Sequence, residues 1–136
     1  MADEVQRVFV YGTLLQGGPN HARLCGDALT IQPAHTTGRL YQLPAGFPAM
    51  VEADAGVVYG EAMSFSDIGA TLARLDLFEG YRPDRPELSL YVRQVQQVTL
   101  LDTGGTAAAY CYVWRGPLPA GAVLIPSGRW FPAIRL

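Results

Sequence analysis

Arg7-Val8-Phe9-Val10-Tyr11-Gly12-Thr13-Leu14 opens as a β-branched and aromatic run and breaks at a glycine. Such a run reads as a buried strand that enters a tight turn. A strand that stops at glycine leaves consecutive backbone N–H groups unpaired, and these can converge on an anion as a nest does. Tyr11-Gly12-Thr13-Leu14 is therefore a candidate site for a carboxylate or a developing oxyanion. Strand-to-glycine turns are common, so these four residues alone do not name a chemistry.

Downstream, Gln16-Gly17-Gly18-Pro19 reads as a loop, and Asn20 caps a short helix over His21 to Leu24. Thr36 to Gln42 and Gly56 to Phe65 are expected strands, separated by a turn at Pro44-Ala45-Gly46-Phe47-Pro48. Ser66 is the expected N-cap of a helix with Asp67 in its first turn, running to Phe78 or Glu79 and stopped by Gly80. Tyr81 to Pro86 must be irregular because its prolines restrict the residues before them. Tyr91 to Leu101 and Ala107 to Arg115 form a hairpin across Asp102-Thr103-Gly104-Gly105. The end of the chain is turn-rich, with Trp130 and Phe131 expected to pack back onto the body.

Many strands and one principal helix in mixed order give an α+β fold, a single small domain over residues 1–136 with few helices and a sheet that is either curled or closed into a small barrel. Such a barrel would bury both tryptophans and most tyrosines and leave a mouth for a ligand. The 136 residues suffice for a core that hides roughly two-thirds of the unfolded surface. Hydrophobic residues at 49% against charged ones at 16% exclude a disordered chain. Lys+Arg of 10 against Asp+Glu of 12 leaves no basic field to hold phosphates, so nucleic acid is not an expected partner. No apolar stretch reaches membrane-spanning length and the start lacks the look of a signal peptide, which makes the cytoplasm the expected address.

Glu79 is the most informative residue. Ile68, Leu72 and Leu75 mark one helix face, and the next member of that stripe is Glu79. Desolvation and the partial negative charge of the helix C-terminus would both disfavour its ionised form, moving it toward the range of a proton shuttle near pH 7. The competing reading is a frayed last turn, with Glu79 in solvent or paired with Arg82. Arg39, Arg93 and Arg129 lie in or beside expected strands, where one of them would reach the barrel mouth to meet a carboxylate. His21, His35, Cys25 and Cys111 match no zinc spacing. There is no GxSxG elbow, no phosphate loop, and no sign of a catalytic histidine for either cysteine.

The order of these pieces is more specific than any one of them. Phe9-Val10-Tyr11-Gly12-Thr13-Leu14, Gly38-Arg39-Leu40-Tyr41, Gly46-Phe47-Pro48-Ala49, Gly60-Glu61, Leu75-Asp76-Leu77-Phe78-Glu79-Gly80-Tyr81 and Tyr91-Val92-Arg93 together resemble the gamma-glutamylcyclotransferase-like family, in its AIG2-like, gamma-glutamylamine cyclotransferase branch. The resemblance implies a small mixed barrel with a cavity at its mouth. It assigns glutamyl binding to Tyr11, Gly12, Thr13 and Leu14 and the acid/base role to Glu79, with Tyr41, Tyr91 and Tyr112 as candidate cavity walls. It implies a small gamma-glutamyl amine or amino acid as substrate, released as 5-oxoproline and a free amine without metal or cofactor. The alternative is a non-catalytic member of the same fold that binds a ligand or partner. Oligomeric state, monomer or weak dimer, is not legible.

Overall fold

A computed structural model describes residues 5–131. The strands are β1 (Arg7–Val10), β2 (Thr30–Thr37), β3 (Arg39–Gln42), β4 (Pro48–Val51), β5 (Val57–Ser64), β6 (Tyr91–Leu100), β7 (Thr106–Trp114) and β8 (Val123–Leu124); the helices are α1 (His21–Cys25), α2 (Ile68–Glu79) and a 3₁₀ turn at Pro86–Leu88. Five strands close a barrel in the order β1-β5-β2-β6-β7, and a second sheet runs β4-β3-β8. All barrel ladders are antiparallel except β1 on β7, which closes the ring in parallel. The expected mixed barrel with few helices is what the chain forms.

β1 is buried on both faces, and this explains why its sequence does not alternate with polar residues. Val8 and Val10 join the core under α2, with Phe65, Leu72 and Leu75, while Phe9 and Tyr11 join a second core with Val58, Met50 and Trp130. Close strand crossing is purchased at Gly60 on β5, where a Cβ would sit 2.0 Å from Val10 O. The β6–β7 hairpin runs in register from Tyr91↔Trp114 to Thr99↔Thr106, across the glycine turn that the sequence marks.

Several expectations are corrected. The strand expected at Thr36 to Gln42 is two strands. The chain leaves the barrel at Gly38, where a Cβ would lie 3.2 Å from Val51 O, and β3 then pairs with β4 in the second sheet. The turn expected at Pro44 to Pro48 forms over Pro44 to Phe47, with Leu43 N donating to Phe47 O at 3.0 Å, and Pro48 already begins β4, on an edge of the small sheet where a missing N–H is tolerated. The cap of α2 is Asp67, not Ser66: its Oδ1 accepts from Ala70 N at 3.0 Å, the stronger charged acceptor for a helix start. Trp130 is buried but Phe131 is 73% exposed, and only Tyr11, Tyr91 and Tyr112 of the 7 tyrosines are buried.

Candidate functional site

The strand that ends at Val10 and the helix that ends at Glu79 deliver their last residues to the same cavity. It has a volume of about 450 Å³, within the usual range for small-molecule sites. Its walls are Phe9 to Leu14, Asn20, Phe47 and Pro48, Leu77 to Gly80, Leu90 and Tyr91, and Tyr112. Glu79 is the one charged side chain among these lining residues.

The helix end is well formed. Gly80 adopts the left-handed conformation, φ 68°, and its N–H reaches back to the carbonyls of Asp76 and Leu77, while Tyr81 N donates to Asp76 O at 2.8 Å. This is the capping geometry that satisfies orphan carbonyls, so Glu79 is held in the helix rather than frayed. Arg82 pairs instead with Asp84 at 3.8 Å. Glu79 makes no hydrogen bond or ion pair to a described residue. Arg7 Nε is the sole sealed side-chain polar atom without a partner among the described residues, so the Glu79 carboxyl opens to the cavity. Burial by the surrounding walls pushes its pKa up to about 7.

Across the cavity, Leu15 N donates to Gly12 O and Asn20 N to Thr13 O, which folds the loop into a compact turn. Gln16 N donates to Glu61 Oε1 at 2.7 Å and pins that turn to β5. The N–H groups of Gly12, Thr13 and Leu14 donate to no described acceptor. Polar donors free of protein partners thus line the same cavity as an unpaired carboxyl.

The buried tyrosines are spent on the scaffold. Tyr11 OH donates to Tyr112 O at 2.7 Å and accepts from Met50 N at 3.2 Å; Tyr91 OH donates to Pro48 O at 2.8 Å; Tyr112 OH donates to Asp76 Oδ1 at 2.6 Å. They line the cavity with their hydroxyl protons already committed. Burial raises the pKa of all three above the ordinary tyrosine value.

Other expectations do not meet at the site. Tyr41 lies on β3 and is not among the lining residues: alternation along that strand buries Leu40 and turns Tyr41 the other way. None of Arg39, Arg93 and Arg129 lines the cavity. Arg39 is exposed, Arg129 stacks on Tyr59 at 3.9 Å from the ring centroid, and Arg93 is paired with Asp76 at 2.6 Å. Cys25 and Cys111 are buried, and burial pushes their thiols up to about 11 and about 12, which leaves them protonated. His21 Nδ1 is 3.1 Å from Leu14 O, and His35 stands edge-on to Tyr59. Among the described residues no three of His, Cys, Asp and Glu are grouped so as to hold a metal ion, and no helix is long and apolar enough to cross a membrane. Sequence reasoning missed the Asp76–Arg93–Tyr112 cluster and the wall from Phe47 and Pro48.

The family model for gamma-glutamyl cyclotransferase, AIG2-like, matches residues 8–132. The chain belongs to this family. Within the family, it is 32% identical over 107 residues to gamma-L-glutamyl-butirosin B gamma-glutamyl cyclotransferase of Niallia circulans, covering 79% of this chain and 65% of that one. It is 30% identical over 127 residues to the Bacillus subtilis protein YkqA, covering 90% of this chain and 40% of the relative. The crystal structure of YkqA superposes with a TM-score of 0.67 at 28% identity, over 93% of this chain and 40% of that chain. An AIG2-like protein from Mus musculus shares the fold end to end, with a TM-score of 0.62 at 24% identity and coverage of 98% and 100%. This chain thus spans less than two-thirds of the curated relatives it matches.

Proposed function

We propose that the protein is a gamma-glutamyl cyclotransferase that releases 5-oxoproline and a free amine from a small gamma-glutamyl amine or amino acid. The observation that carries this reading is the unpaired carboxyl of Glu79, raised to about 7 and open to a cavity that has no other charged wall residue. Membership of the family supports the same reaction class.

The reaction is intramolecular. The neutral α-amine of the glutamyl unit attacks its own side-chain carbonyl carbon, a C–N bond forms, and the carbonyl oxygen becomes an oxyanion. As the bond to the linked amine breaks, the lactam closes. Nucleophile and electrophile belong to one molecule, so the enzyme's task is to fix the reactive conformer and to move protons. Glu79, as carboxylate, takes the proton that the attacking nitrogen sheds and, once protonated, gives it to the leaving nitrogen. A pKa near 7 suits both halves of that transfer. The N–H groups of Gly12, Thr13 and Leu14 serve the negative end, either the α-carboxylate or the oxyanion. Tyr11, Tyr91 and Tyr112 enclose the glutamyl chain with their rings.

A panel of gamma-glutamyl amino acids and gamma-glutamyl amines, with 5-oxoproline quantified by mass spectrometry, tests the reading. Product from at least one member, with stoichiometric free amine, supports it and identifies the leaving group. Saturable binding of panel members with no product from any would instead favour a binding protein of the same fold.

A further inference from the structure

The segment that carries Glu79 is anchored before and after that residue by one guanidinium. One helical turn before it, Asp76 Oδ2 accepts from Arg93 Nη1 at 2.6 Å. Two residues after it, beyond the Gly80 cap, the Tyr81 ring has its centroid 5.5 Å from Arg93 Cζ, and the Tyr110 ring lies at the same 5.5 Å. The second Asp76 oxygen accepts from Tyr112 OH at 2.6 Å, and Tyr112 shares the cavity wall with Glu79. Arg93 and Asp76 side chains are only 23% and 13% exposed, against 37% and 62% for Arg74–Asp27 and 59% and 72% for Arg82–Asp84. The enclosed pair is weakly screened and geometrically fixed, whereas the others belong to the surface. A planar cation that both bonds a carboxylate and lies against aromatic rings is a role that lysine fills poorly.

We propose that Arg93 is a positioning residue for the reaction: through Asp76 and Tyr81 it fixes the last turn of α2 on the β6–β7 hairpin, so that the Glu79 carboxyl meets the cavity. Arg93 does not touch the substrate. The kinetic part of this inference rests on the cyclotransferase reading above; the electrostatic part does not. While intact, the pair is neutral as seen from Glu79. The other titratable groups facing Glu79 are the hydroxyls of Tyr11, just after β1, and Tyr91 from β6, the Cys25 thiol from α1 and, on the shared wall, Tyr112 from β7. All of them are held protonated by burial. The cations of the same helix and the loop after it, Arg74 and Arg82, face Asp27 and Asp84, and from α1 Arg23 lies over the Phe78 ring at 5.8 Å while His21 Nδ1 stands 3.1 Å from Leu14 O.

Breaking the pair from either side therefore moves Glu79 in opposite directions. Arg93→Met leaves the Asp76 carboxylate unpaired three residues away, which disfavours a second negative charge and raises the Glu79 pKa. Asp76→Asn leaves Arg93 unpaired and lowers it. The test measures kcat, KM and the pH profile of 5-oxoproline release in both variants and in Arg93→Lys, together with the titration of the Glu79 carboxyl by ¹³C NMR. The expected result is a fall in kcat of about tenfold or more in Arg93→Met and Asp76→Asn with KM within about threefold. The acid limb moves up in the first and down in the second by about half a pH unit or more. Arg93→Lys, which keeps the charge, holds the limb in place and recovers part of kcat. Limbs that move together or stay still, or losses that merely track the folded fraction, overturn the proposal. Should Arg93→Met fail to fold, the direction of the shift in Asp76→Asn decides alone. If the unmodified protein releases no 5-oxoproline, the cyclotransferase reading and the kinetic part fail together, and the NMR titrations still decide the electrostatic part by the same opposite displacements.

Discussion

Gly12 and Pro48 pass so closely that a Cβ on Gly12 would stand 2.6 Å from Pro48 Cγ and 3.1 Å from Cδ. The loop that offers the free N–H groups and the strand start that forms the adjoining wall are thus packed against each other through the absence of a side chain. Gly12→Ala forces the proline ring away and with it the Phe47–Pro48 wall. The expected cost is about 1–3 kcal/mol of stability and a KM for gamma-glutamyl substrates raised by about tenfold or more. Urea unfolding and steady-state kinetics check it, and unchanged values for both would contradict the contact.

The raised pKa of Glu79 makes a prediction about stability as well as rate. A carboxyl at about 7 in the fold against 4.5 ordinarily binds its proton more tightly when folded. Its contribution is fully present below the unfolded value and is lost as pH rises through the folded one, by up to about 3 kcal/mol. Glu79→Gln, which cannot ionise, is expected to unfold at higher denaturant than the natural chain at pH 8 and with little difference at pH 4. A difference of the same size at both pH values would show that burial does not perturb this carboxyl.

Activity follows the opposite direction along the same titration. The carboxylate is the form that accepts a proton, so kcat/KM, once divided by the fraction of substrate whose α-amine is neutral, should rise tenfold per pH unit below about 7 and level above it. A limb centred near 4.5 would remove the desolvated carboxyl from the mechanism.

Tyr11 and Tyr91 differ in what they hold. Tyr11 OH joins Tyr112 O and Met50 N, whereas Tyr91 OH joins Pro48 O alone. Each buried partner left unsatisfied costs about 1–3 kcal/mol. Tyr11→Phe is accordingly expected to destabilise more than Tyr91→Phe. Neither should displace the acid limb of the pH profile, and chemical denaturation with pH-dependent kinetics distinguishes the two effects.

Much of this arrangement is legible in the residues. The apolar run at β1, the Asp102 to Gly105 turn and the stripe from Ile68 to Glu79 use local periodicity, and the α+β class follows from them, while closure of the barrel rests on the distant pairings of β1 with β7 and β2 with β6. Glu79 stands out because a carboxylate breaks an apolar pattern at a helix end. What is not legible depends on pairing between distant strands. Pro48 begins β4 only because β3 offers it an edge, and Tyr41 leaves the site because the chain changes sheets at Gly38. Arg93 reads as a candidate for a substrate carboxylate from its position in a strand. Its true partner, Asp76, lies on a helix that the barrel brings beneath it.

The most direct measurement compares 5-oxoproline release by the natural protein and by Glu79→Gln at pH 8, on the best substrate of the panel, with both proteins verified as folded. Glutamine keeps the volume and removes the proton acceptor. The account predicts product from the natural protein and a rate at least about 10²-fold lower from the variant. Equal rates would contradict it, since Glu79 could then carry no proton in the reaction.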